Sequence, residues 1–236
     1  MLKTNACYYD AVCALELENN DAEFKIRNFI KNHPENTNTQ LAYFQLGKHL
    51  FKTGNYNGAL EAFRETDRSS LSRDEKLEFY FKTGFCYYRQ EDYNRAKIEF
   101  RKLLNKDNPF KNSATYYYAH IAYLEGNYDM ALDYFEKIRD DRLFRKTIPL
   151  YLVHIYHAQG KYDKVIEEGV PMYESASSRY KGELAHLIGD SYYQLRNYEE
   201  ALPYLELYSR TARRSMTRED NYELAYTYYE LNQYRN

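Results

Sequence analysis

The stretch GNYNGALEAF, at Gly54–Phe63, decides the fold, because close variants of it recur along the chain. These variants are EDYNRAKIEF at 91–100, GNYDMALDYF at 126–135, GKYDKVIEEG at 160–169, RNYEEALPYL at 196–205 and NQYRN at 232–236. Their shared tyrosines, which serve as anchors for alignment and are spaced by 34 to 37 residues, are Tyr56, Tyr93, Tyr128, Tyr162, Tyr198 and Tyr234. Because this period is the length of one helix pair with its turns, we expect an array of helical repeats.

Each anchor begins the second helix of a pair. A small residue mostly stands three positions after the anchor and a large one seven positions after it, and a spacing of three then four places both on one helical stripe. The small set is Ala59, Ala96, Ala131, Val165 and Ala201, and the large set is Phe63, Phe100, Phe135, Gly169 and Leu205. This stripe predicts close packing on a neighbouring helix.

The first helix of each pair precedes the anchor. Nine positions before the anchors the residues are mostly small, which predicts close helix contact there: Gly47, Gly84, Ala119, Val153, Gly189 and Ala225. Glycines at 54, 126 and 160 suit the left-handed residue that closes a helix. An Asn or Asp beside the anchor is expected to cap the second helix, at Asn57, Asp92, Asp129 and Asp163.

These offsets resemble the tetratricopeptide repeat (TPR), a helix-turn-helix unit of about 34 residues. The pattern is carried most fully by Tyr43, Leu46, Gly47, Leu50, Ala59 and Phe63. The resemblance implies an all-α fold, a right-handed superhelical solenoid formed as a single domain by residues 1–236. Its predicted units are a degenerate one at 3–36, full ones at 40–73, 77–110, 112–145, 146–179 and 182–215, and a half unit at 218–236. Gly169 and Pro171 are expected to bend or end their helix.

Composition limits the functional class. The 33 basic and 35 acidic residues leave a net charge of −2, so the chain lacks the basic character of a nucleic-acid binder. No apolar run reaches the roughly 20 residues of a membrane span, and the compartment stays open between the cytoplasm and a bacterial periplasm or cell envelope. Cys7, Cys13 and Cys86 lie in helical pattern and are expected to be buried thiols.

In the TPR family the first helices line the groove of the superhelix. Positions five, eight and twelve before each anchor would share that face, and they are rich in aromatic and imidazole side chains. The candidate groove residues are Phe44, Lys48, Phe51, Phe81, Phe85, Tyr88, Tyr116, His120, Tyr123, His154, His157, His186, Asp190, Tyr193, Tyr222, Tyr226 and Tyr229. Such a set predicts either packing between first helices or a binding surface for a peptide segment or partner helix.

Other functions remain as alternatives. Stacked aromatic rings also suit a glycan, and the dense tyrosine usage resembles that of large cell-envelope TPR proteins of Gram-negative bacteria, which implies a glycan-binding or structural envelope component. The TPR variety that clamps a terminal carboxylate is disfavoured, because its Lys and Asn positions hold Phe44 with Lys48, Phe81 with Phe85 and Tyr116 with His120.

The histidines offer the main possibility of chemistry. His154 and His157 are one helical turn apart, with His120, His186 and Asp190 on flanking units, so imidazoles could converge on a metal ion. No HExxH, GxSxG, phosphate-binding loop or dinucleotide motif accompanies them. We therefore expect no enzyme activity, cofactor or metal, and keep a metal-dependent activity as the weakest alternative.

The C-terminal segment is rich in aromatic and apolar side chains where a terminal repeat would usually be polar. It contains Tyr222, Leu224, Tyr226, Tyr228, Tyr229 and Leu231, followed by the anchor Tyr234. This pattern predicts either a piece of a longer repeat protein or a homodimer formed through that end.

Overall fold

The computed structural model describes residues 2–212 and 216–233, and the described residues form α-helices with no strand. The helices are α1 Leu2–Glu16, α2 Ala22–Asn32, α3 Thr39–Lys52, α4 Tyr56–Glu65, α5 Arg73–Arg89, α6 Tyr93–Leu104, α7 Lys111–Leu124, α8 Tyr128–Glu136, α9 Ile148–Ala158, α10 Tyr162–Ser175, α11 Ser178–Gln194, α12 Tyr198–Ala212 and α13 Arg218–Glu230. A short 3-10 turn occupies Arg68–Ser70. Five anchor tyrosines are the first residues of α4, α6, α8, α10 and α12, as predicted, and Tyr234 lies outside the described residues.

The chain divides into two compact units, Met1–Ile121 and Ala122–Asn236, with the boundary inside α7. In the first unit α1 packs on α2, α3 on α4 and α5 on α6, and each pair also contacts the next. In the second unit the same relation joins α9 with α10 and α11 with α12, and α13 packs on α12. Along the described stretches, no helix combines the length and the apolar character needed to cross a membrane.

The turn between paired helices has a repeated geometry. Gly54, Gly126 and Gly160 have φ of 81°, 73° and 67°, the left-handed conformation predicted from the sequence, while Glu91 and Arg196 take it at 61° in the other pairs.

The predicted caps are mostly wrong: the capping side chain belongs to the residue just before the anchor. Asn55 accepts from the Gly58 amide at 3.0 Å, and Asn127 from that of Met130 at 3.2 Å. Of the predicted residues Asp92 does cap, accepting from Arg95 N at 3.2 Å.

Small residues let the helices of a pair approach closely, because a large side chain from the partner helix occupies the space. A Cβ added to Gly47 would lie 2.4 Å from Cε1 of Phe63, and one added to Gly84 would lie 2.9 Å from the same atom of Phe100. The close helix contact predicted at the position nine before the anchor is therefore present in these pairs, and its partner is the large residue seven after the anchor.

The irregular pair α9–α10 uses a different arrangement. At Gly169 an added Cβ would meet Ile188 Cγ1 at 3.0 Å, so a residue of α11 fills the space that a large side chain takes elsewhere. Of the two outcomes expected at Gly169 and Pro171, a bend or an end of the helix, the end is wrong, since α10 continues through Pro171 to Ser175.

Only one cysteine matches its prediction. Cys86 is buried, and burial raises the pKa of its thiol to about 12, whereas Cys7 and Cys13 are exposed on α1. Helical spacing alone could not distinguish the two faces of α1.

Candidate binding surface

In the first unit, most of the predicted groove rings form one connected group. We call it the first-unit surface, and it comprises Lys48, Phe51, Phe81, Phe85, Tyr88, Tyr116 and His120. Phe85 lies at its centre, with ring centroids 5.4 Å from Phe51, 6.4 Å from Phe81 and 6.1 Å from Tyr88. All of these side chains are half-buried, so each ring packs on its neighbours and still reaches solvent.

Hydrogen bonding and further rings hold this surface in place. The Tyr88 hydroxyl is 3.0 Å from Nδ1 of His120, and the ring of Tyr117 lies 4.9 Å from that of Tyr88 and 5.1 Å from that of Phe85. Burial lowers the pKa of His120, which favours the neutral imidazole near pH 7. The rings are therefore already ordered before any partner binds, which reduces the entropy lost on binding.

Two lysines lie at the edge of the first-unit surface: Lys48, which is part of it, and Lys82, which is next to it. The Nζ atom of Lys82 lies 4.2 Å above the ring of Phe51, and the carboxylate of Glu78 is 3.5 Å from Lys82 and 3.6 Å from Lys48. Burial lowers the pKa of Lys82, and the neighbouring charge of Lys48 lowers it further, while Glu78 opposes both effects. Lys82 was not among the predicted groove residues, because it lies eleven positions before its anchor and the prediction sampled only positions five, eight and twelve.

Phe44 does not belong to this surface. Its side chain is fully buried, with ring centroids 6.2 Å from Phe63 and 6.4 Å from Phe79, so it is part of the core between helix pairs. Its assignment to the groove is corrected for this reason. The equivalent positions Phe81, Tyr116 and His186 are half-buried, and Tyr222 is 62% exposed.

In the second unit, the predicted groove residues Tyr123 and His186 pack against neighbouring aromatic rings. Tyr123 packs against Tyr128 at 6.0 Å and Tyr151 at 5.2 Å. His186 stacks on Tyr208 with centroids 4.2 Å apart and an interplanar angle of 18°. The predicted positions therefore contribute to packing here as well as to the surface.

Three of the four histidines in the predicted cluster contact a carboxylate of the following first helix, while the fourth, His120, contacts the Tyr88 hydroxyl. The Nε2 atom is 2.8 Å from Glu183 for His154, 2.5 Å from Asp190 for His157 and 2.9 Å from Asp220 for His186. These three contacts link α9 to α11 and α11 to α13 instead of bringing the imidazoles together. Within the residues that the structure describes, no group of three or more His, Cys, Asp or Glu side chains is placed to hold a metal ion.

A second surface lies on α11 and α13. We call it the acidic tyrosine surface, and it comprises Asp190, Tyr193, Tyr222, Glu223, Tyr226 and Tyr229. Tyr226 is central, with centroids 6.1 Å from Tyr193, 5.8 Å from Tyr222 and 6.0 Å from Tyr229. Tyr222 and Tyr229 are 62% and 60% exposed, the most exposed rings among the predicted residues.

Two carboxyl groups interact electrostatically here, that of Asp190 on α11, which is buried, and that of Glu223 on α13, which is half-buried. Burial, and then the charge of Asp190, raises the pKa of Glu223 to about 8. Burial opposes ionisation of Asp190 too, but hydrogen bonds from His157 and Gln194 outweigh it and lower its pKa. At pH 7 the pair therefore retains a proton on Glu223. Like Lys82, Glu223 lies eleven positions before its anchor, outside the positions that the prediction sampled.

The second unit also contains an open cavity of about 840 Å³ away from these rings. It lies where the segment before α9 meets the end of α10 and the start of α11, and Arg145, Lys146, Leu150, Pro171 and Tyr180 are among its lining residues. Sequence reasoning missed it because the repeat offsets did not include the residues between helix pairs.

Comparisons with known proteins agree with the helix-pair geometry. Models of the tetratricopeptide repeat match residues 86–142 and 182–210. Among solved structures, MamA from strain AMB-1 has a TM-score of 0.62 at 18% identity, over 76% of this chain and 94% of that one. A tetratricopeptide repeat protein from Parabacteroides merdae has a TM-score of 0.59 at 14% identity, over 99% and 88% of the two chains.

A third similar structure is YrrB, whose description is a TPR protein with an unusual peptide-binding site. Its TM-score is 0.58 at 18% identity, over 76% of this chain and 90% of that one. At such identities these structures support the fold and no more. Together with the helix pairs, the matching models lead to one conclusion: the chain contains tetratricopeptide repeats at residues 86–142 and 182–210 and has the fold of tetratricopeptide repeat proteins.

Proposed function

We propose that this chain binds a peptide segment or a partner helix along the aromatic faces of its first helices. The TPR fold supports a protein-interaction scaffold, and such scaffolds are generally non-catalytic. The observation that carries the finer proposal is the first-unit surface, in which Phe85 packs against both Phe51 and Tyr88 and all three rings are only half-buried.

Aromatic side chains of this kind suit a binding role on physical grounds. They bring a large contact area with few rotatable bonds, and tyrosine adds a hydroxyl that can donate to a peptide carbonyl. Contact with neighbouring rings limits their motion in the free protein, so less entropy is lost when a partner binds. YrrB, described as having a peptide-binding site, is similar in fold, which is consistent with this proposal.

Selection of peptides from a random display library on the intact chain tests the proposal. Affinities of the enriched peptides are then measured for Tyr88→Ala, Tyr123→Ala and Tyr193→Ala, and for the control Ile98→Ala, which removes an exposed apolar side chain from the second helix α6. We expect at least one of the three tyrosine variants to weaken binding by about 2 kcal/mol or more, as aromatic hot spots do, and the control to leave it unchanged.

Circular dichroism of each variant separates loss of the surface from loss of the fold. Folded tyrosine variants that all keep the parental affinity would refute the binding role. The absence of any enriched peptide, together with retention of an oligosaccharide on the same protein, would favour the glycan-binding alternative, since sugar rings also stack on aromatic faces.

A further inference from the structure

The two surfaces use equivalent repeat positions for opposite charges. Lys48 and Asp190 each lie eight positions before an anchor, and Lys82 and Glu223 each lie eleven before the next anchor along the chain. In both cases the two charged groups interact: the charge of Lys48 lowers the pKa of Lys82, and that of Asp190 raises the pKa of Glu223. A pair of cations in the first unit thus corresponds to a pair of carboxyls in the second.

An aromatic ring accompanies each pair. Phe51 and Tyr193 occupy equivalent places, five positions before their anchors. Burial raises the pKa of Tyr193, and the charges of Glu223 and Asp190 both raise it further. In the first unit the chain itself supplies a cation to the ring, since Lys82 Nζ lies 4.2 Å above Phe51 and Glu78 is 3.5 Å from the ammonium. The first unit therefore shows which chemistry this repeat position accommodates: an ammonium between an aromatic ring and a carboxylate.

The second unit has the ring and the carboxyls without that ammonium. Where the structure describes the chain, no lysine or arginine forms an ion pair with Asp190 or Glu223. Asp190 is buried and its oxygens contact His157 and Gln194, so Glu223, which is half-buried, is the carboxyl that a partner can reach. The adjoining rings of Tyr222 and Tyr229 are the most exposed of the predicted set. The helix that carries them, α13, has one basic residue, Arg218, against Glu219, Asp220, Glu223 and Glu230.

From this juxtaposition we infer that the acidic tyrosine surface binds a lysine- or arginine-bearing segment of a partner protein, with the cation placed at the half-buried carboxyl of Glu223 and its aliphatic stem on the tyrosine rings. The inference rests on the proposed function and specifies the partner class for the second unit. Cation–π attraction to the tyrosine faces and an ion pair with the carboxyl of Glu223 both favour a cationic side chain over a neutral one.

Proton release should accompany this binding. A cation stabilises the carboxylate form of Glu223, so its proton leaves when the partner binds below the pH at which the free group ionises. The groups that face Glu223 are Asp190 and Tyr193 on α11 and Asp220 and Glu219 on its own helix. His157 on α9 acts through Asp190, and Tyr208 on α12 and His186 on α11 contact Asp220. Because these neighbours are mainly acidic, we expect affinity to rise with pH and to level off above about pH 8.

The test uses the full chain and a labelled oligolysine peptide as the probe, with an oligoglutamate peptide of equal length for comparison. We expect saturable binding of oligolysine only. Glu223→Gln should weaken it about tenfold or more and remove most of its rise with pH, because glutamine keeps the shape of the protonated side chain and cannot ionise. The matched control is Glu199→Gln, an equal loss of charge at an exposed position of α12, which should leave both quantities unchanged.

Three results of the binding assay would overturn the inference. They are no oligolysine binding, oligolysine binding that Glu223→Gln leaves intact, and equal weakening by Glu199→Gln, which would indicate attraction to net charge alone. If the displayed peptides bind the first-unit surface while oligolysine does not bind, the proposed function stands and this inference fails. A second copy of the chain as the true occupant would appear in light scattering as a doubled mass that Glu223→Gln abolishes, and that result would also overturn it.

Discussion

Single glycines set how closely the paired helices approach. At Gly189 an added Cβ would lie 2.9 Å from Cδ2 of Leu205 and 3.1 Å from its backbone nitrogen. A side-chain atom could move away, but the backbone of α12 cannot do so without shifting the whole helix. Position 189 therefore tolerates a larger residue poorly.

We predict that Gly189→Leu destabilises the protein by about 1–3 kcal/mol through overpacking. Ala225→Leu is the matched control, because Ala225 has the same offset from its anchor but is exposed on α13. Thermal or denaturant unfolding of both variants measures the difference. Equal stability of Gly189→Leu and the parent would show that the contact with α12 is not closely packed.

Phe44 and Phe51 separate core from surface on one helix. Phe44 is fully buried between Phe63 and Phe79, whereas Phe51 is half-buried at the edge of the first-unit surface. Phe44→Ala should cost about 3–5 kcal/mol of unfolding free energy, and Phe51→Ala clearly less. Denaturant titration of the two variants decides this, and a smaller cost for Phe44→Ala would contradict its reassignment to the core.

Glu223 makes stability depend on pH. Its folded-state pKa of about 8 lies above the ordinary value of 4.5, so between these values the folded state holds a proton that the unfolded state releases. Stability should therefore decrease as the pH rises from about 4.5 to 8. The lowered pKa values of Asp190 and Asp220 act in a separate window, near and below 3.8.

Melting temperatures from pH 5 to pH 9 should thus fall more steeply for the parent than for Glu223→Gln, which cannot release that proton. At the alkaline end the variant should be the more stable of the two. Identical pH profiles would show that Glu223 ionises in the folded protein as it does in the unfolded chain.

At the scale of the helix, the repeat spacing predicted the elements well and their ends less well. The anchors begin five helices because the offsets from Tyr56, Tyr93 and their equivalents report packing that recurs in every pair. The cap of α4 was predicted at Asn57, two residues after the side chain that forms it, Asn55. The two asparagines flank the same anchor, and only backbone geometry shows which side chain reaches a free amide. α10 continues through Pro171 to Ser175, although a proline inside a helix removes a backbone donor and often ends the helix.

The cap assignment gives a direct comparison. Asn55→Ala should destabilise α4 and cost about 1 kcal/mol, because the Gly58 amide loses its acceptor. Asn57→Ala removes only an exposed contact with Gln90 and should cost less. Unfolding free energies of the pair test this, and a larger effect at Asn57 would restore the cap predicted from the sequence.

At the scale of the molecule, the sequence predicted the fold class and the positions of most candidate surface residues, but not their environments. Which members of a set are exposed depends on neighbours from other helices: Phe44 is enclosed by Phe63 and Phe79, while Tyr222 has the same offset and is exposed. The charge reversal between Lys82 and Glu223 was missed because their position was not read as part of the groove.

The homodimer predicted from the C-terminal segment would use the exposed rings of Tyr222 and Tyr229. The dimer and a cationic partner segment compete for these rings, so light scattering at increasing protein concentration decides between them: a rise toward twice the monomer mass, reduced in Tyr222→Ser, would favour the dimer. A monomeric mass at every concentration would contradict the dimer.

The most direct test of the central claim, that the faces of the first helices bind a peptide, is hydroxyl-radical footprinting with a peptide selected on the intact chain. The 29 tyrosines report on most parts of the protein, since their rings react when accessible. We predict protection of groove tyrosines such as Tyr88, Tyr123 or Tyr193, with unchanged reactivity at Tyr180, which is 42% exposed away from these faces. Protection at Tyr180 or Tyr9 with no change at any groove tyrosine would contradict the account.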